Sequence, residues 1–410
     1  MTNLKINIST ALGATFAWYD FIIFNIAIAL VFPKIFFTGM GFLIPILVFA
    51  VGFFARPLGG LVYGFIGDMF GRKTALVSTL YLTGISTVLI GLLPTYDQIG
   101  ASAAILLIAL RVVQTVAFGG EWAAASTMLV ESNANSPNKG LISSLVSSGW
   151  AVASIMASLV FMLVTSQGDK FFMEYGWRIP FLLSGILLVI GVYIRQRVIE
   201  SSTFLDFNGN LKEKNRPLKT LISEHHKSMI YGILTMQLSA SWTYIVTVFG
   251  VAYMIQQGFI SRAGITEIQF AMAWVFLVTL LFFGWIGDKI GQQKLFLISA
   301  VSSLVLAFPV FYFISNGYAL LAMSSLVVLM CPAFAAAPKL LTSIFPTQVR
   351  TIGSGLTYNL GLVVGGGAVP LLAQYILSAT GNLMLLGYLF TVLSVIAIYA
   401  TTQIKKEYQQ

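Results

Sequence analysis

The sequence predicts an all-α membrane protein in which twelve transmembrane helices form two six-helix bundles. Hydrophobic residues make up 58% of the 410 residues and charged residues only 9%, whereas soluble domains carry about 25% charged residues. Apolar runs of the roughly 20 residues that cross a bilayer fill nearly the whole chain. These continuous runs differ from the alternating segments of about ten residues in a membrane β-barrel. A similar charged segment also ends an apolar run in each half, which indicates a duplicated architecture.

The apolar runs place six helices before a polar segment and six after it. In order, we predict helices at about 9–32, 41–67, 74–93, 100–130, 141–165, 178–195, 229–256, 267–287, 294–314, 318–338, 351–378 and 382–402. The predicted domains are an N-terminal six-helix bundle at 1–195, a cytoplasmic linker at 196–228 and a C-terminal six-helix bundle at 229–410. Within the linker, an amphipathic helix on the membrane surface is compatible with the composition.

Lysine and arginine predict the orientation. With the N-terminus inside, the predicted cytoplasmic segments hold 17 of these residues and the outer segments four. Because positive residues favour the cytoplasm, we expect both termini there and a location in the cell inner (plasma) membrane. The formal charge of +9 is thereby explained, so a nucleic-acid partner is not expected. Met1–Thr10 is followed directly by a long apolar run with no small-residue cleavage site, so we expect no cleaved signal peptide and expect helix 1 itself to direct insertion.

Metal and disulfide chemistry find little support in the sequence. His225 and His226 are the only histidines, and adjacent residues face different sides of any helix, which makes a poor metal site. Cys331 is the single cysteine and excludes an intrachain disulfide. We therefore expect no metal and no cofactor other than protons as the coupling ion. The expected partners are a small-molecule substrate and the lipid bilayer, and the protein is expected to be a monomer.

Two short charged segments, which we call the corners, end an apolar run in each half. The first corner (residues 64–73) carries Asp68, Gly71, Arg72 and Lys73, and the second (residues 284–294) repeats the spacing with Asp288. A helix N-terminus favours an anion. We therefore predict that the first corner's aspartate latches onto the start of helix 11.

The second corner is expected to form the weaker latch. The start of helix 11 follows Arg350, and the second corner's aspartate would meet the start of helix 5 near Gly140. Gln292 and Gln293 replace the Arg-Lys pair there, which predicts weaker latching. The alternative role of the corners is orientation by positive charge, which is compatible with latching.

Four charged residues lie well inside predicted helices, and such charges are costly enough to suggest function. They are Asp20, Arg56, Arg111 and Glu121. Asp20 and Arg111 lie at similar depth, so we predict that they pair. Proton uptake by the aspartate would then free the arginine to bind a carboxylate; the alternative is a permanent salt bridge that fixes helix packing. Glu121 is a second protonatable site, a counter-ion for a cationic group, or the partner of Arg56.

Neutral polar and aromatic residues at similar depths are further candidates for substrate binding. Besides the two arginines, they are Trp18, Tyr19, Gln114, Trp122, Gln237, Trp242, Tyr244 and Asn359. Aromatic faces attract ammonium groups, and with an arginine for the carboxylate they would form a site for a zwitterion. The alternative is that these aromatic residues serve packing or anchor the helices at the membrane interface.

The motifs resemble those of the major facilitator superfamily, and specifically its metabolite:proton symporter branch, which includes proline/betaine, 2-oxoglutarate, citrate and shikimate carriers. The matching segments are FAWYDF, RPLGGLVYGFIGDMFGRK, RVVQTVAFGGEW, WRIPF, IES and FPTQVRTIGSG. The resemblance covers nearly the full length. It implies two bundles around a central site that opens alternately to either side, as in transporters built from related halves.

Three positions depart from the branch pattern. Ala17 stands where the branch usually has Glu, Thr115 replaces a Gly, and Lys139 replaces an Arg. The missing acid at position 17 leaves the proton stoichiometry open. The residues after helix 12 do not resemble the coiled-coil tail of osmosensing betaine carriers, which argues against osmotic gating by such a tail.

The predicted function is proton-coupled symport of a small carboxylate-bearing metabolite, namely an amino acid, a betaine or an organic acid. Alternatives within transport are a multidrug/proton antiporter and a passive uniporter. A transporter-like sensor is less expected, because no soluble signalling domain is present. An enzyme is not expected, because no metal cluster, nucleophile elbow or serine/lysine dyad stands out inside the helices.

Overall fold

The computed structural model describes residues 2–38, 43–196, 199–207 and 217–404. Its twelve long helices are α1 (Thr2–Leu30), α2 (Leu43–Phe70), α3 (Arg72–Leu92), α4 (Ser102–Ser132), α5 (Lys139–Thr165), α6 (Ile179–Gln196), α7 (His226–Gln256), α8 (Arg262–Ile290), α9 (Gln292–Ser315), α10 (Ala319–Ser343), α11 (Thr347–Thr380) and α12 (Leu385–Gln403). Within the described residues, eleven helical spans are long and apolar enough to cross a membrane, and α2 adds 28 residues. The predicted all-α membrane fold is confirmed.

Several helices extend beyond the apolar runs that predicted them. Helix α1 begins at Thr2 and α8 at Arg262, because a helix continues past the membrane wherever its backbone can keep its hydrogen bonds. Short helices also occupy connections: Phe32–Ile35, Tyr96–Ile99, Asp169–Glu174, Ser202–Phe207 and Pro217–Glu224. The last two lie in the predicted linker. The predicted start of helix 2 at residue 41, and linker residues 208–216, lie outside the described residues.

Two helices of the second half contain a π-helical turn near mid-length, at Ile245–Gly250 in α7 and Val363–Ala368 in α11. The two helices touch close to these turns, since a Cβ built on Gly366 would lie 2.4 Å from the ring of Tyr244. Turns of this type are frequent at functional sites. Hydropathy carries no signal for them, and the sequence did not predict them.

The bundles meet most closely at the end where the corners lie, which we call the corner end. Each corner turns within one residue, Gly71 (φ 105°) or Gly291 (φ 96°), in a conformation that favours glycine. Between the corner and the helix centre, α2 presents Gly60 and Gly64 to α11; a Cβ on Gly64 would lie 2.5 Å from Ile352 Cα. Small residues let helices approach this closely. At the opposite end, aromatic rings pack the first bundle.

Candidate functional site

Asp68 joins the first corner to the start of α11. Its carboxylate accepts hydrogen bonds from the backbone N–H groups of Thr351 and Ile352, both at 3.0 Å, and lies 3.3 Å from Arg72. The aspartate is buried. Because the first N–H groups of a helix have no partner within the helix, a carboxylate there satisfies two of them and meets the positive end of the dipole. The contact expected from the sequence is present.

Further charges fasten the first corner. Arg72 binds Glu131 at the end of α4 at 3.0 Å, and Arg350 binds the same carboxylate at 3.1 Å. Glu200, just after α6, accepts the backbone N–H groups of Arg72 and Lys73 at 3.1 Å. Glu131 and Glu200 were not among the predicted latch residues. Glu200 is the glutamate of the IES motif, so the sequence did contain a signal for its role.

The second corner repeats the contact with a different cation. Asp288 accepts the backbone N–H groups of Gly140 (2.6 Å) and Leu141 (2.9 Å) at the start of α5. Lys339 of α10 lies 2.9 Å from it and supplies the positive charge. The buried side-chain amide of Gln292 has no hydrogen-bond partner among the described residues. The corner is therefore held by fewer charged contacts than the first.

Asp20 is buried and points into the first bundle. Its carboxylate accepts a hydrogen bond from Ser184 of α6 at 2.5 Å and interacts with the hydroxyl of Thr87 of α3. In the described part of the chain it forms no ion pair, so the predicted pairing with Arg111 is wrong for this conformation. Side chains lean toward the N-terminus of their own helix. Because α1 and α4 are antiparallel, the two side chains lean apart.

The side chain of Arg111 contacts α1 about one turn beyond Asp20. Its guanidinium donates to the side-chain oxygens of Gln114 (2.7 Å) and Asn25 (2.9 Å). It lies over the rings of Phe24 and Phe21, 3.9 and 4.6 Å from their centroids. All of these partners are neutral. Gln114 also donates to Thr87 at 2.8 Å, so neutral side chains connect this arginine to the surroundings of the buried aspartate.

Arg56 lies at the centre, where both halves meet. Its Nε donates to Asn359 of α11 at 3.3 Å, and its guanidinium lies 4.6 Å from the Phe118 ring centroid and 5.7 Å from that of Trp18. Asn359 in turn donates to the backbone oxygen of Gly119 at 2.7 Å. Five helices contribute to this centre: α1, α2, α4, α7 and α11.

Aromatic residues of both halves close the centre. Trp122 of α4 stacks on Tyr358 of α11 with centroids 3.7 Å apart and planes within 3°. Tyr244 of α7 contacts Phe53 of α2 edge to face at 5.0 Å and interacts electrostatically with Arg56. The structure therefore brings five predicted site residues of the first half together with two of the second. They are Trp18, Arg56, Arg111, Gln114 and Trp122, with Tyr244 and Asn359.

Comparison with known proteins gives the family. Residues 6–230 match the family described as sugar (and other) transporter. The chain is 33% identical over 386 residues to the shikimate transporter of Escherichia coli (strain K12), covering 89% of this chain and 86% of that protein. The chain belongs to this transporter family. It is also 31% identical over 390 residues to the inner membrane metabolite transport protein YhjE of the same organism, with 91% and 87% covered.

The fold of this transporter agrees with a solved structure of the superfamily that the motifs suggested. The proton:xylose symporter XylE, described as a major facilitator superfamily protein, superposes with a TM-score of 0.77 at 15% identity. The match covers 98% of this chain and 94% of that one. The expected major facilitator fold is thus confirmed, and the family match and the relatives show a multi-pass membrane transporter for metabolites.

Glu121 belongs to the interior of the first bundle of this transporter. It forms a buried ion pair with Arg195 of α6 and accepts the Thr79 hydroxyl at 2.6 Å. Arg195 also donates to the backbone oxygen of Leu76 at 2.5 Å. The pair with Arg56, one of the three open alternatives, is therefore wrong. The sequence placed Arg195 at a cytoplasmic helix end and gave no signal for the pair.

Three predicted substrate residues of the transporter lie away from the centre. The Tyr19 hydroxyl donates to the backbone oxygen of Pro180 at 3.1 Å, within the first bundle. Trp242 donates to Ser303 at 2.7 Å and packs in the core of the second bundle. Gln237 is buried, and its side-chain oxygen accepts the hydroxyl of Ser241, one turn along α7. In this conformation none of the three contacts the arginines. Within the described ranges, no cluster of three or more His, Cys, Asp or Glu side chains could hold a metal ion.

Proposed function

We propose that this protein is a secondary active transporter that couples uptake of a small carboxylate-bearing metabolite to proton entry by alternating access. One observation carries the proposal. A chain of hydrogen-bonding side chains links Asp20, a buried acid without an arginine partner among the described residues, to Arg111, a buried arginine without an acid. The chain runs through Thr87 and Gln114.

The chemistry of these groups fixes the direction of the hydrogen bonds. Arginine only donates, so the side-chain oxygen of Gln114 faces Arg111 and its NH₂ group faces the Thr87 oxygen. The Thr87 hydroxyl hydrogen then has two acceptors within reach, the Asp20 carboxylate and the backbone oxygen of Thr83 at 2.8 Å. An ionised carboxylate only accepts, whereas a protonated one also donates. When a protonated Asp20 donates to the Thr87 oxygen, the Thr87 hydroxyl turns to the backbone oxygen of Thr83. Gln114 then shares the Thr87 oxygen with the acid, which changes the restraint on Arg111.

The contacts at the corner end support alternating access. Asp68 and Asp288 each bind the start of a helix in the other half, and their carboxylates have to leave those N–H groups when this end opens. Both latches sit beside closely packed helices, where Gly64 meets α11 and Gly284 meets α5. We propose that the corner end is cytoplasmic, so this conformation is closed to the cytoplasm.

We assign roles to the buried charged residues, and a location and orientation to the protein, on this basis. Asp20 carries the proton, Arg111 and Arg56 bind the carboxylate, and Glu121 stabilises the first bundle through its arginine. The protein works as a monomer in the inner membrane with both termini in the cytoplasm, and it needs no cofactor besides protons. The inner-membrane relative YhjE supports the location, and the lysine and arginine distribution supports the orientation.

Reconstituted liposomes with trapped pyranine test the coupling. A panel of shikimate, 2-oxoglutarate, citrate, proline and glycine betaine is added outside at acidic pH, and the internal pH is recorded. We expect at least one compound to acidify the lumen faster than in protein-free liposomes. If uptake of the labelled substrate has the same rate with and without an imposed pH gradient, the protein is a uniporter. Proton exchange driven only by lipophilic cations would show a drug antiporter.

Variants of the hydrogen-bonded chain test its role. Asp20→Asn should leave uptake independent of pH, and Thr87→Val should remove most of the proton-driven component. Thr83→Val is the matched control, because Thr83 is equally buried one turn away on α3 and its hydroxyl donates only to backbone oxygens. Wild-type coupling in Asp20→Asn refutes the assignment of the proton to Asp20.

A further inference from the structure

Arg56 and Arg111 lack a negative partner at membrane depth. Both are buried, with 0% and 1% of their surface exposed, and neither belongs to an ion pair among the described residues. Both terminal nitrogens of Arg56 and the Nε of Arg111 have no hydrogen-bond partner in the same part of the chain. The hydroxyl groups of Tyr244 and Tyr358 interact with Arg56 electrostatically and lie within hydrogen-bonding reach of it, although its terminal nitrogens form no hydrogen bond of good geometry among the described residues.

Among the described residues, the other two fully buried arginines differ in this respect. Arg72 binds Glu131, and Arg195 binds Glu121. A buried charge without a partner is strongly unfavourable, and within a membrane such charges generally mark a pathway or a site. The fold thus neutralises the arginines of the corner end and of the first bundle, and it leaves the two at the centre without an acid.

The two unpaired guanidinium groups are close enough to act on one small ligand. They lie 5.3 and 4.6 Å from the centroid of the same ring, Phe21, so they are no more than about 10 Å apart. Gly52, one turn from Arg56 on α2, leaves room for the second arginine, whose Nε lies 3.2 Å from a Cβ built there. The pair repels itself electrostatically, and an anion between the two groups relieves this repulsion.

Among the described residues, the aromatic rings around this centre already have partners: Trp122 stacks on Tyr358, and Tyr244 contacts Phe53. The rings of Trp18, Phe21 and Phe118 already face Arg56, and Phe24 faces Arg111. The two buried acids at membrane depth point elsewhere, Asp20 toward Ser184 and Glu121 toward Arg195. A zwitterion would therefore bring its cation beside two guanidinium groups, with no acid of the described part of the chain directed at it.

We propose that the substrate is an organic carboxylate anion without a compensating ammonium group, bound between Arg56 and Arg111. This inference rests on the proposed function and narrows it, because amino acids and betaines are excluded and hydroxy, keto or cyclic carboxylic acids remain. One proton entering on Asp20 with one monoanion on the arginines leaves the net charge of the site the same as in the empty, ionised state.

Thermal unfolding of the purified protein tests the charge requirement. The probes are shikimate, 2-oxoglutarate and citrate against proline, glutamate and glycine betaine, together with 3,3-dimethylbutanoate, which has the shape of glycine betaine with carbon in place of the charged nitrogen. We expect the anions to raise the Tm, 2-oxoglutarate more than glutamate, and 3,3-dimethylbutanoate to bind at least tenfold tighter than the betaine.

Variants locate the binding. Arg111→Gln and Arg56→Gln should each abolish the Tm shift by the anions, whereas Arg178→Gln should keep it, because that arginine lies at the opposite end and binds backbone oxygens there. The comparison of 2-oxoglutarate with glutamate, and of 3,3-dimethylbutanoate with glycine betaine, uses the wild-type protein. It therefore tests the requirement for an anion even if a variant does not fold. Persistence of the shift in both central variants overturns the site.

The outcomes separate this inference from the proposed function. If glutamate and glycine betaine raise the Tm as much as 2-oxoglutarate and 3,3-dimethylbutanoate do, the requirement for an anion is overturned. The symport proposal would still stand in that case if a zwitterion acidifies the liposome lumen in the pyranine assay. Anions that bind without driving proton entry support the site and overturn the coupling. Absence of any shift by an anion overturns the inference.

Discussion

Replacing Asp68 with asparagine should open the corner end. The carboxylate accepts two backbone N–H groups of α11 at 3.0 Å, and asparagine keeps one acceptor while its NH₂ group faces the other N–H. A hydrogen bond to a charged group contributes about 1.5–3 kcal/mol, and an unsatisfied buried donor costs about 1–3 kcal/mol. We therefore expect the closed state to lose about 2–4 kcal/mol, which lowers the ratio of closed to open molecules about 30- to 700-fold.

Distances between spin labels report this opening. Thr74→Cys at the start of α3 and Lys294→Cys at the start of α9 place labels on exposed positions of the two halves at the corner end. The buried Cys331 is first replaced by alanine. Asp68→Asn should shift the distribution toward longer distances. An unchanged distribution would refute the view that this carboxylate holds the halves together.

Asp288→Asn is the matched comparison at the second corner. It removes the same kind of contact from α5. This carboxylate is 7% exposed, against 1% for its counterpart in the first corner, so water reaches the freed N–H groups more easily. We expect a smaller shift with the same labels, and a larger one would reverse the ranking of the two latches.

Three further substitutions test packing and charge. Glu121→Gln leaves Arg195 without its buried partner and should cost about 3–5 kcal/mol, seen as a lower Tm, while proton-driven uptake stays pH-dependent. Gly71→Ala should cost at least about 1–2 kcal/mol, because φ is 105° and a Cβ would lie 2.2 Å from a glutamate oxygen. Gly64→Ala should lengthen the label distances, since its Cβ would meet the α11 backbone at 2.5 Å. Gly367→Ala, with no atom within 4 Å, is the neutral control for both glycines.

The corners were predictable because their chemistry is local. A glycine that turns the chain, an aspartate four residues before the first helical arginine, and a helix start on the same membrane side are all readable from residue spacing. Asp68 and Asp288 accordingly meet the helix starts expected for them. The cation at the second corner, Lys339, was not predicted as a partner, because it comes from α10, 51 residues later.

Buried ion pairs inside the first bundle were not predictable in the same way. Glu121 meets Arg195 because the long arginine side chain crosses beside Gly13 of α1, where the missing side chain leaves room for the guanidinium. A membrane helix is apolar all round, so its hydropathy does not show which side faces a neighbouring helix. The depth of a residue can be counted from the helix end, but its direction depends on packing. The misplaced Trp242 and Tyr19 have the same cause.

The relation between Asp20 and Arg111 shows what this limit means for function. Equal depth suggested a direct salt bridge, which would have made each group the other's counter-ion. Because α1 and α4 are antiparallel, the two side chains instead point away from each other. The side chains of Thr87 and Gln114 lie between them. An arginine held only by neutral groups keeps its charge available for a ligand, and an acid held only by hydroxyl groups keeps its proton site free of an ion pair. The separation therefore suits a carrier that binds a proton and an anion at neighbouring positions. Thr87→Val tests whether the side chains between Asp20 and Arg111 couple proton binding to anion binding.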